Sequence, residues 1–467
     1  MSWKAGIVSL ILLMGLSGCV GGLVGKHFPS LKLSSGYAPS PRPLMKPVIG
    51  PPAGITGHAE ANEKLTLARA LWLAHIYNPA LAVVSYESRV RDAKILQAGL
   101  KPNPEISAEV ENFGGTGDTS GSESAETTIT LSQLVPLGGK ISKQVRVAGL
   151  DRDLSGWDYQ AERLSVIRET AQRFIRVLMM QEILKVAREQ VTLAEGVVDV
   201  SSKRYQAGDT TIVDRTRSEA DLESSRIALQ KTGFRLTAAR QALAAMWGSP
   251  RPKFDHVRGN LFALREVPDW KFLASWISRN PDIARWATEM SKRWAELRLA
   301  RSHGLPDLTL GFGVRRINQL EQQMEEVGKV PVPNDTALVA QLSLPIPAFD
   351  RNQGNLLAAK ARLDKGEQER RAAWVRVQTA LSQSYTQLLS AHTEASSIRD
   401  KVLPRLRSAF EGVSIGYRNG QLGYLDLLQS QRKLVLEQKR YIEALGAAHN
   451  AMAELEGLIG RPLGELR

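Results

Sequence analysis

The sequence predicts an α+β membrane protein made of two similar halves, each with one β-hairpin and one long helical hairpin. Three observations lead to this prediction. Short sequence features recur at offsets of 202 to 212 positions. Segments in which apolar and polar residues alternate occur as two pairs, and long segments with heptad-like spacing flank a turn that is present twice. We take residues 61–253 as the first half and residues 254–467 as the second.

The repeated turn is the clearest of these features. YQAGDTTIVD at 205–214 recurs as YRNGQLGYLD at 417–426, so its tyrosines, glycines and aspartates each differ by 212 positions. A glycine gives the backbone the freedom that a reversing chain needs. We therefore expect these two segments to be the tips of long helical hairpins and to lie side by side. The repeated residues are Tyr205, Gly208 and Asp214 in the first copy and Tyr417, Gly420 and Asp426 in the second.

The N-terminus predicts export. Lys4 precedes an apolar run over residues 5–16 that is too short to span a bilayer but suits the core of a secretory signal. The run leads into Cys19, the only cysteine, in a pattern that resembles the signal of bacterial lipoproteins. We expect residues 1–18 to be the signal peptide and Cys19 to carry the lipid. Val20 follows where lipoproteins kept at the inner membrane more often have aspartate, which favours the outer membrane. Residues 19–60 are proline-rich and predict an extended tether.

Each half begins with the same plan. A helix from Leu65 to about Tyr77 stops at Asn78-Pro79, and a helix from Phe272 to Arg279 stops at Asn280-Pro281, 202 positions later. Both helices resume and end before a proline. Residues 104–136 and 306–347 then alternate between apolar and small or polar residues, which predicts one β-hairpin in each half. The larger offset after the hairpins places an insertion in the second hairpin loop, around residues 318–334.

The hairpin strands have the length and the period of strands that cross a bilayer. Four strands cannot close a barrel with any interior, and an open edge in lipid leaves backbone groups unpaired at several kcal/mol each. Closure must therefore come from other copies of the chain, arranged as a symmetric ring. The residues themselves do not fix the number of copies.

The order of these features resembles the TolC family of trimeric outer-membrane efflux channels, over essentially the whole chain after residue 61. The resemblance implies a homotrimer with a 12-stranded outer-membrane β-barrel, four strands per chain, continued by a long periplasmic α-helical barrel. It also implies two partners, a periplasmic adaptor protein and an inner-membrane pump. The segments ENFGG at 111–115 and VPLGGK at 135–140 look most like the CzcC branch, which serves heavy-metal efflux.

The resemblance assigns a role to the glycine and tyrosine of each turn. Tyr205 with Gly208, and Tyr417 with Gly420, match the tip positions of the family and are candidate adaptor contacts. A purely local turn role is the alternative for the glycines. The implied mechanism is gated passive conduction, with the driving force in the pump.

The resemblance also points to a gate. Asp426 matches a position where the family has an acidic ring, and Asp214 is its repeat mate; three like charges around an axis would favour a bound cation. A solvated helix face is the alternative. Gln429 stands where relatives often have a second acid, and its repeat mate is Arg217. A double acidic ring is therefore not expected.

Other classes of protein fit less well. The net charge of +13 is scattered among acids along helix faces, so we expect no nucleic-acid partner. The seven histidines show no metal-binding spacing and no catalytic motif is present, so we expect no enzyme, no metal ligands and no cofactor besides the lipid on Cys19. A lipid-anchored periplasmic coiled-coil adaptor or scaffold remains a rival, as does a channel for drugs, organic solutes or type I secretion.

Overall fold

The structure is a computed structural model, and it describes residues 65–122, 124–318 and 335–461. The chain divides into two compact units, residues 1–45 and 46–467, and all described residues belong to the second. The predicted signal peptide, Cys19 and the tether at 19–60 lie outside the described residues. So does nearly all of the predicted insertion at 318–334.

Helices make up most of the described chain. The longest has 67 residues, which corresponds to about 100 Å. The helices of the described residues are α1 (Leu67–Tyr77), α2 (Pro79–Gly99), α3 (Lys140–Gln206), α4 (Ile212–Ala244), α5 (Trp270–Trp276), α6 (Pro281–His303), α7 (Gln353–Ser397), α8 (Leu403–Arg418) and α9 (Tyr424–Ile459).

The two Asn-Pro pairs start helices in the same way. The Asn78 side chain accepts hydrogen bonds from the N–H groups of Ala80 and Leu81, and its amide donates to the Met246 carbonyl at 2.8 Å. Asn280 caps α6 and donates to the Leu458 carbonyl at 2.9 Å. Each asparagine therefore starts a helix and also joins it to the end of the helical hairpin in the same half.

Three details differ from the sequence predictions. α5 begins at Trp270 instead of Phe272, and a 3₁₀ turn at Ile277–Arg279 follows it. Leu65–Thr66 form a short strand, β1, parallel to β4 (Val257–Arg258), so the first helix begins at Leu67 instead of Leu65. The long helical segment of the second half is interrupted by a π-helical turn at Ile398–Val402, directly before α8. Pro404 lies in the first turn of α8 and has no N–H to donate to the preceding turn, which accounts for the local change of helix type.

The core lies where the long helices pack on one another. The largest buried cluster joins α1, α3, the end of α4 and α9, with Leu73, Val177, Leu243 and Leu445 all at most 1% exposed. Gly446 lies so close to α3 that a Cβ there would overlap the Met179 side chain. A second cluster joins α5, α7 and α9. By length and composition Leu67–Gly99 could cross a membrane, but it consists of two helices, and α1 contributes to the main core.

The four remaining strands form one antiparallel sheet. They are β2 (Glu105–Glu111), β3 (Glu126–Val135), β5 (Leu308–Ile317) and β6 (Asp335–Ser343), in the order β2-β3-β5-β6. The strands fall within the segments 104–136 and 306–347, where the sequence alternates. In the central pair, β3 and β5, Val135 lies opposite Leu308 and Glu126 lies opposite Ile317. The sheet therefore has two outer strands, β2 and β6, one from each half.

Candidate functional site

One face of the sheet is apolar and exposed. Ile106 lies opposite Leu131, and Leu131 lies opposite Phe312, so these side chains share a face. Eight large apolar side chains of this face are exposed, from 47% for Val314 to 88% for Leu338. Such a continuous apolar surface requires a membrane or another protein to cover it. These eight exposed residues are Ile106, Val110, Ile129, Leu131, Phe312, Val314, Leu338 and Leu342.

The opposite face of the same sheet is polar. Arg315 lies on it and donates to the Glu126 carboxylate at 3.1 Å and to the Thr128 hydroxyl at 3.0 Å, while its guanidinium is 3.7 Å from the Glu111 carboxylate. Ser107 and Glu109 belong to the same face. One lipid-compatible face and one water-compatible face are what a strand of a membrane barrel needs.

The sheet is open at both sides. Within the described residues, β2 pairs only with β3, and β6 pairs only with β5. Each outer strand therefore leaves one row of backbone N–H and C=O groups without a strand partner. An apolar sheet with open edges is stable in lipid only if further strands pair with those edges.

The two helical tips lie at the far ends of the long helices from the sheet connections. α3 ends at Gln206 and α4 begins at Ile212, and the turn between them contains Gly208 at φ 81°. α8 ends at Arg418, and the turn before α9 contains Gly420 at φ 75°. Both glycines adopt the left-handed backbone conformation, which is unfavourable for other residues, so each glycine is needed to form its turn.

Arg204 holds the two turns together. Its guanidinium donates to the Tyr417 carbonyl at 2.9 Å and to the Asp209 carbonyl at 3.1 Å, and it stacks 4.9 Å from the centre of the Tyr417 ring. This contact confirms the prediction that the two turns lie side by side.

Tyr417 itself is buried, at 2% exposure, in a small cluster with Tyr424 and Leu427. Its ring is therefore not available to touch an adaptor, and the prediction of a direct contact through this side chain needs correction. Tyr205 is 38% exposed, and Gly208 and Gly420 are exposed, so these three remain candidates for contact. The difference between the two tyrosines arises because Arg204 and α9 cover only the second.

A hydrogen-bond network joins the halves again, between the start of α9 and residues about two helical turns behind the tips. The Tyr424 hydroxyl donates to the Asp221 carboxylate at 2.6 Å, and Arg432 donates to the other oxygen of that carboxylate at 2.8 Å. Burial, with the hydrogen bond to Asp221, raises the pKa of the Tyr424 hydroxyl. A cavity of about 130 Å³ adjoins this network, lined in part by Gln190, Ser218 and Ser225.

We expect Tyr424→Phe to lower the free energy of unfolding by about 1.5 kcal/mol, because it removes a buried hydrogen bond to a carboxylate that Arg432 still holds. Thermal denaturation of the detergent-solubilised protein measures this change. Tyr205→Phe is the matched control, since the Tyr205 hydroxyl forms no hydrogen bond within the described chain, and it should change little. A Tyr205→Phe loss as large as that of Tyr424→Phe would contradict the assignment.

The hydrogen bond between Tyr424 and Asp221 also predicts that the stability of the protein depends on pH. The pKa of Tyr424 is raised above its ordinary value of 10.0, so the stabilisation is intact below about pH 10 and is lost as the pH rises through the higher pKa of the folded state. The alkaline loss of stability should therefore be smaller in Tyr424→Phe than in the unmodified chain.

The candidate gate residues sit in unequal environments. Asp214 accepts a hydrogen bond from the Thr210 hydroxyl at 3.0 Å and lies 3.9 Å from the Arg217 guanidinium. Asp426 is exposed and accepts the backbone N–H of Gly423 at 3.1 Å, which caps α9. Gln429, the repeat mate of Arg217, is uncharged, and Asp426 forms no ion pair within the described residues. The two turns therefore present one carboxylate beside an arginine and one that has no cation of its own chain within the described residues.

A buried ion pair joins the halves at the sheet end of the long helices. Lys140, at the start of α3, is 6% exposed and donates to the Asp307 carboxylate at 2.6 Å and to the Leu305 carbonyl at 2.7 Å. The Leu137 N–H donates to the same carboxylate oxygen at 3.0 Å. Although partial burial opposes it, the hydrogen bond from Lys140 lowers the pKa of the Asp307 carboxyl.

Three of these features were not predicted from the sequence: the Arg204 contact, the Tyr424–Asp221–Arg432 network and the Lys140–Asp307 pair. The network could have been suspected where the two halves differ in sequence. At the offset of 212, Tyr424 corresponds to Ile212 and Asp221 corresponds to Lys433, so neither residue of the hydrogen bond is repeated. In the described part of the chain, no group of three or more His, Cys, Asp or Glu side chains could hold a metal ion.

Comparison with known proteins places the chain in a family. The sequence profile described as "Outer membrane efflux protein" matches residues 71–249 and 273–461. The cobalt-zinc-cadmium resistance protein CzcC of Cupriavidus metallidurans is 31% identical over 402 residues, which cover 86% of this chain and 91% of CzcC. The nickel-cobalt-cadmium resistance protein NccC of Alcaligenes xylosoxydans xylosoxydans is 23% identical over 334 residues, covering 68% of this chain and 70% of NccC.

A solved structure shares the fold. The outer membrane protein VceC of Vibrio cholerae superimposes with a TM-score of 0.67 at 17% sequence identity, covering 85% of this chain and 96% of VceC. The match of the family profile to both halves, together with the CzcC likeness over most of both chains, shows that this protein belongs to the outer membrane efflux protein family and is an outer-membrane efflux channel.

Proposed function

We propose that this chain forms the outer-membrane channel of a tripartite efflux system that exports heavy-metal cations. The observation that supports the channel architecture best is the open four-stranded sheet, which has one exposed apolar face, one polar face and two unpaired edges. Such a sheet needs lipid on one side, water on the other and further strands at its edges.

In our proposal three copies close a barrel of 12 strands, with four strands from each chain, and the long helices continue it through the periplasm. The apolar face with Leu131 and Phe312 contacts lipid, and the polar face with Arg315 lines the lumen. A lipid on Cys19 adds an anchor to the same membrane. The channel conducts passively, so the free energy for export comes from the pump.

The cargo is inferred from the relatives. CzcC and NccC are named for resistance to cobalt, zinc, cadmium and nickel, and the match to CzcC covers 86% of this chain. The free carboxylate of Asp426 at the tip is compatible with cations, because three copies would gather three such groups around the axis. Asp214 contributes less to this effect, since Arg217 lies beside it.

The tips are the proposed contact with the adaptor protein. Tyr205, Gly208 and Gly420 present the exposed surface of the two turns, while Tyr417 supports them from inside. Arg204 fixes the relative position of the turns, so an adaptor that displaces Arg204 from the Tyr417 carbonyl would allow the tips to separate. Opening of the gate is therefore proposed to begin at this contact.

Growth of a deletion strain tests the cargo. We expect the strain to lose tolerance to zinc, cobalt, cadmium, nickel or copper, and we expect a plasmid copy of the gene to restore it. Sensitivity to antibiotics or detergents with unchanged metal tolerance would show that the channel serves organic solutes. Unchanged tolerance to every metal and drug in the panel would contradict the proposal as a whole.

A further inference from the structure

The sequence repeat gives the Lys140–Asp307 ion pair a second pair of residues, Arg351 and Glu105, which do not form an ion pair with each other within one chain. The Lys140–Asp307 pair links the start of the α3 helix in the first half to the start of β5 in the second. The offset of 211, which aligns Pro136 with Pro347 at the hairpin ends, carries Lys140 to Arg351, two residues before the first residue of α7. The hairpin-start offset of 202 carries Asp307 back to Glu105. Arg351 and Glu105 are both exposed, and neither forms an ion pair within the described residues. The Arg351 guanidinium donates only to the Pro347 carbonyl, at 3.3 Å.

We propose that Arg351 of one copy pairs with Glu105 of the next copy, and that this contact repeats between subunits the ion pair that Lys140 and Asp307 form within one. The inference rests on the proposed function, because it requires that β6 of one copy lie beside β2 of another. Arg351 follows β6, and Glu105 begins β2. The partner for this surface is thus a second copy of the same chain.

The strand register that the same offsets give also agrees with the pairing. In the β3–β5 pair Val135 lies opposite Leu308, and the two offsets carry these residues to Ile346 and Ile106. The same register sets Leu342 opposite Val110. All four side chains are at least 50% exposed in the single chain, and Leu342, Val110 and Ile106 belong to the apolar face. A slip of one residue would set Leu342 against Glu109 or Glu111, which lie on the polar face.

Side-chain size agrees with this arrangement. Gly138 lies against Leu305, whose Cδ1 would be 2.6 Å from a Cβ at Gly138. The same offsets carry Gly138 to Phe349 and Leu305 to Asn103. Within one chain a glycine faces a leucine, whereas at the proposed contact between copies a phenylalanine would face the smaller asparagine. Phe349 is 94% exposed in the single chain, and the contact would cover it. A phenylalanine left in this state is otherwise hard to explain.

Site-directed cross-linking in the full-length protein in its membrane tests the pairing. In a chain carrying Arg351→Cys and Glu105→Cys, we expect a short bifunctional maleimide to give covalent dimers and trimers on denaturing gels. Lys140→Cys with Asp307→Cys should instead cross-link within one chain, which then still runs as a monomer. Arg351→Cys with Glu111→Cys, at the opposite end of β2, should give no cross-linked oligomer, and the single-cysteine variants control for Cys19.

Charge reversal provides the second test. We expect Arg351→Glu or Glu105→Arg alone to lower the recovery of heat-resistant oligomer by about tenfold, and the double reversal to restore it to within about twofold. If the unmodified chain forms oligomers but neither the cross-link nor the rescue is seen, the Arg351–Glu105 pairing is wrong, while the proposal that other copies close the sheet is retained. If the unmodified chain forms no oligomer, closure and the pairing are both wrong.

Discussion

Replacing Leu131 with arginine is expected to abolish the assembled channel. Leu131 lies at the middle of β3 on the apolar face, between Ile106 and Phe312, and is 52% exposed in the single chain. An arginine facing lipid near the bilayer midplane costs about 2–4 kcal/mol, and the ring repeats that cost in every copy. Heat-resistant oligomers in outer-membrane fractions should disappear, and metal tolerance should fall to the level of the deletion strain.

Ser132→Arg is the matched control for this experiment. Ser132 is the next residue along β3 and lies on the polar face, opposite Gly311. The same charge placed one residue away should therefore leave the oligomer intact. Equal recovery of Leu131→Arg and the unmodified chain, or a greater loss in Ser132→Arg, would show that the faces have been assigned the wrong way round.

Lys140→Met is expected to destabilise the junction between the sheet and the helices. Breaking a buried ion pair costs about 3–5 kcal/mol, and we expect about 2 kcal/mol here because the Asp307 side chain is 29% exposed and keeps the Leu137 N–H. Methionine retains most of the apolar stem of lysine, so the change isolates the charge. Denaturant unfolding of the solubilised protein measures the loss.

Lys143→Met is the control for Lys140→Met, since the Lys143 ammonium donates only to the Gly138 carbonyl within the described residues. It should change the stability by much less. The pKa of Asp307 is lowered from 3.8, so the stabilisation is present above pH 3.8 and is lost as the pH falls through the lower pKa of the folded state. Asp307→Asn should remove this acid dependence, and equal losses from both lysine variants would contradict the assigned role.

Much of the fold follows from local sequence patterns. The period of two in residues 308–314 indicates a strand, and β5 covers Leu308–Ile317. Asn78-Pro79 and Asn280-Pro281 mark helix starts because a cap followed by proline satisfies the requirements of a first turn, whatever the surrounding structure. The turns at Gly208 and Gly420 are equally local, since the left-handed backbone conformation selects glycine.

The residues that join the two halves were harder to predict. Arg204 and Tyr417 are 213 positions apart, and no spacing rule connects an arginine in one helix with a backbone carbonyl in another. The burial of Tyr417 follows from the same packing, so the likeness of Tyr205 and Tyr417 in sequence concealed different environments. The Lys140–Asp307 pair depends on how β3 lies beside β5, which is a tertiary property.

The mass of the protein extracted from the outer membrane in mild detergent tests the central claim most directly. The proposal that other copies close the open sheet predicts an assembly of three chains of 51.3 kDa each, less any residues removed on export. A stable, water-soluble monomer with β2 and β6 paired within its own chain would contradict it.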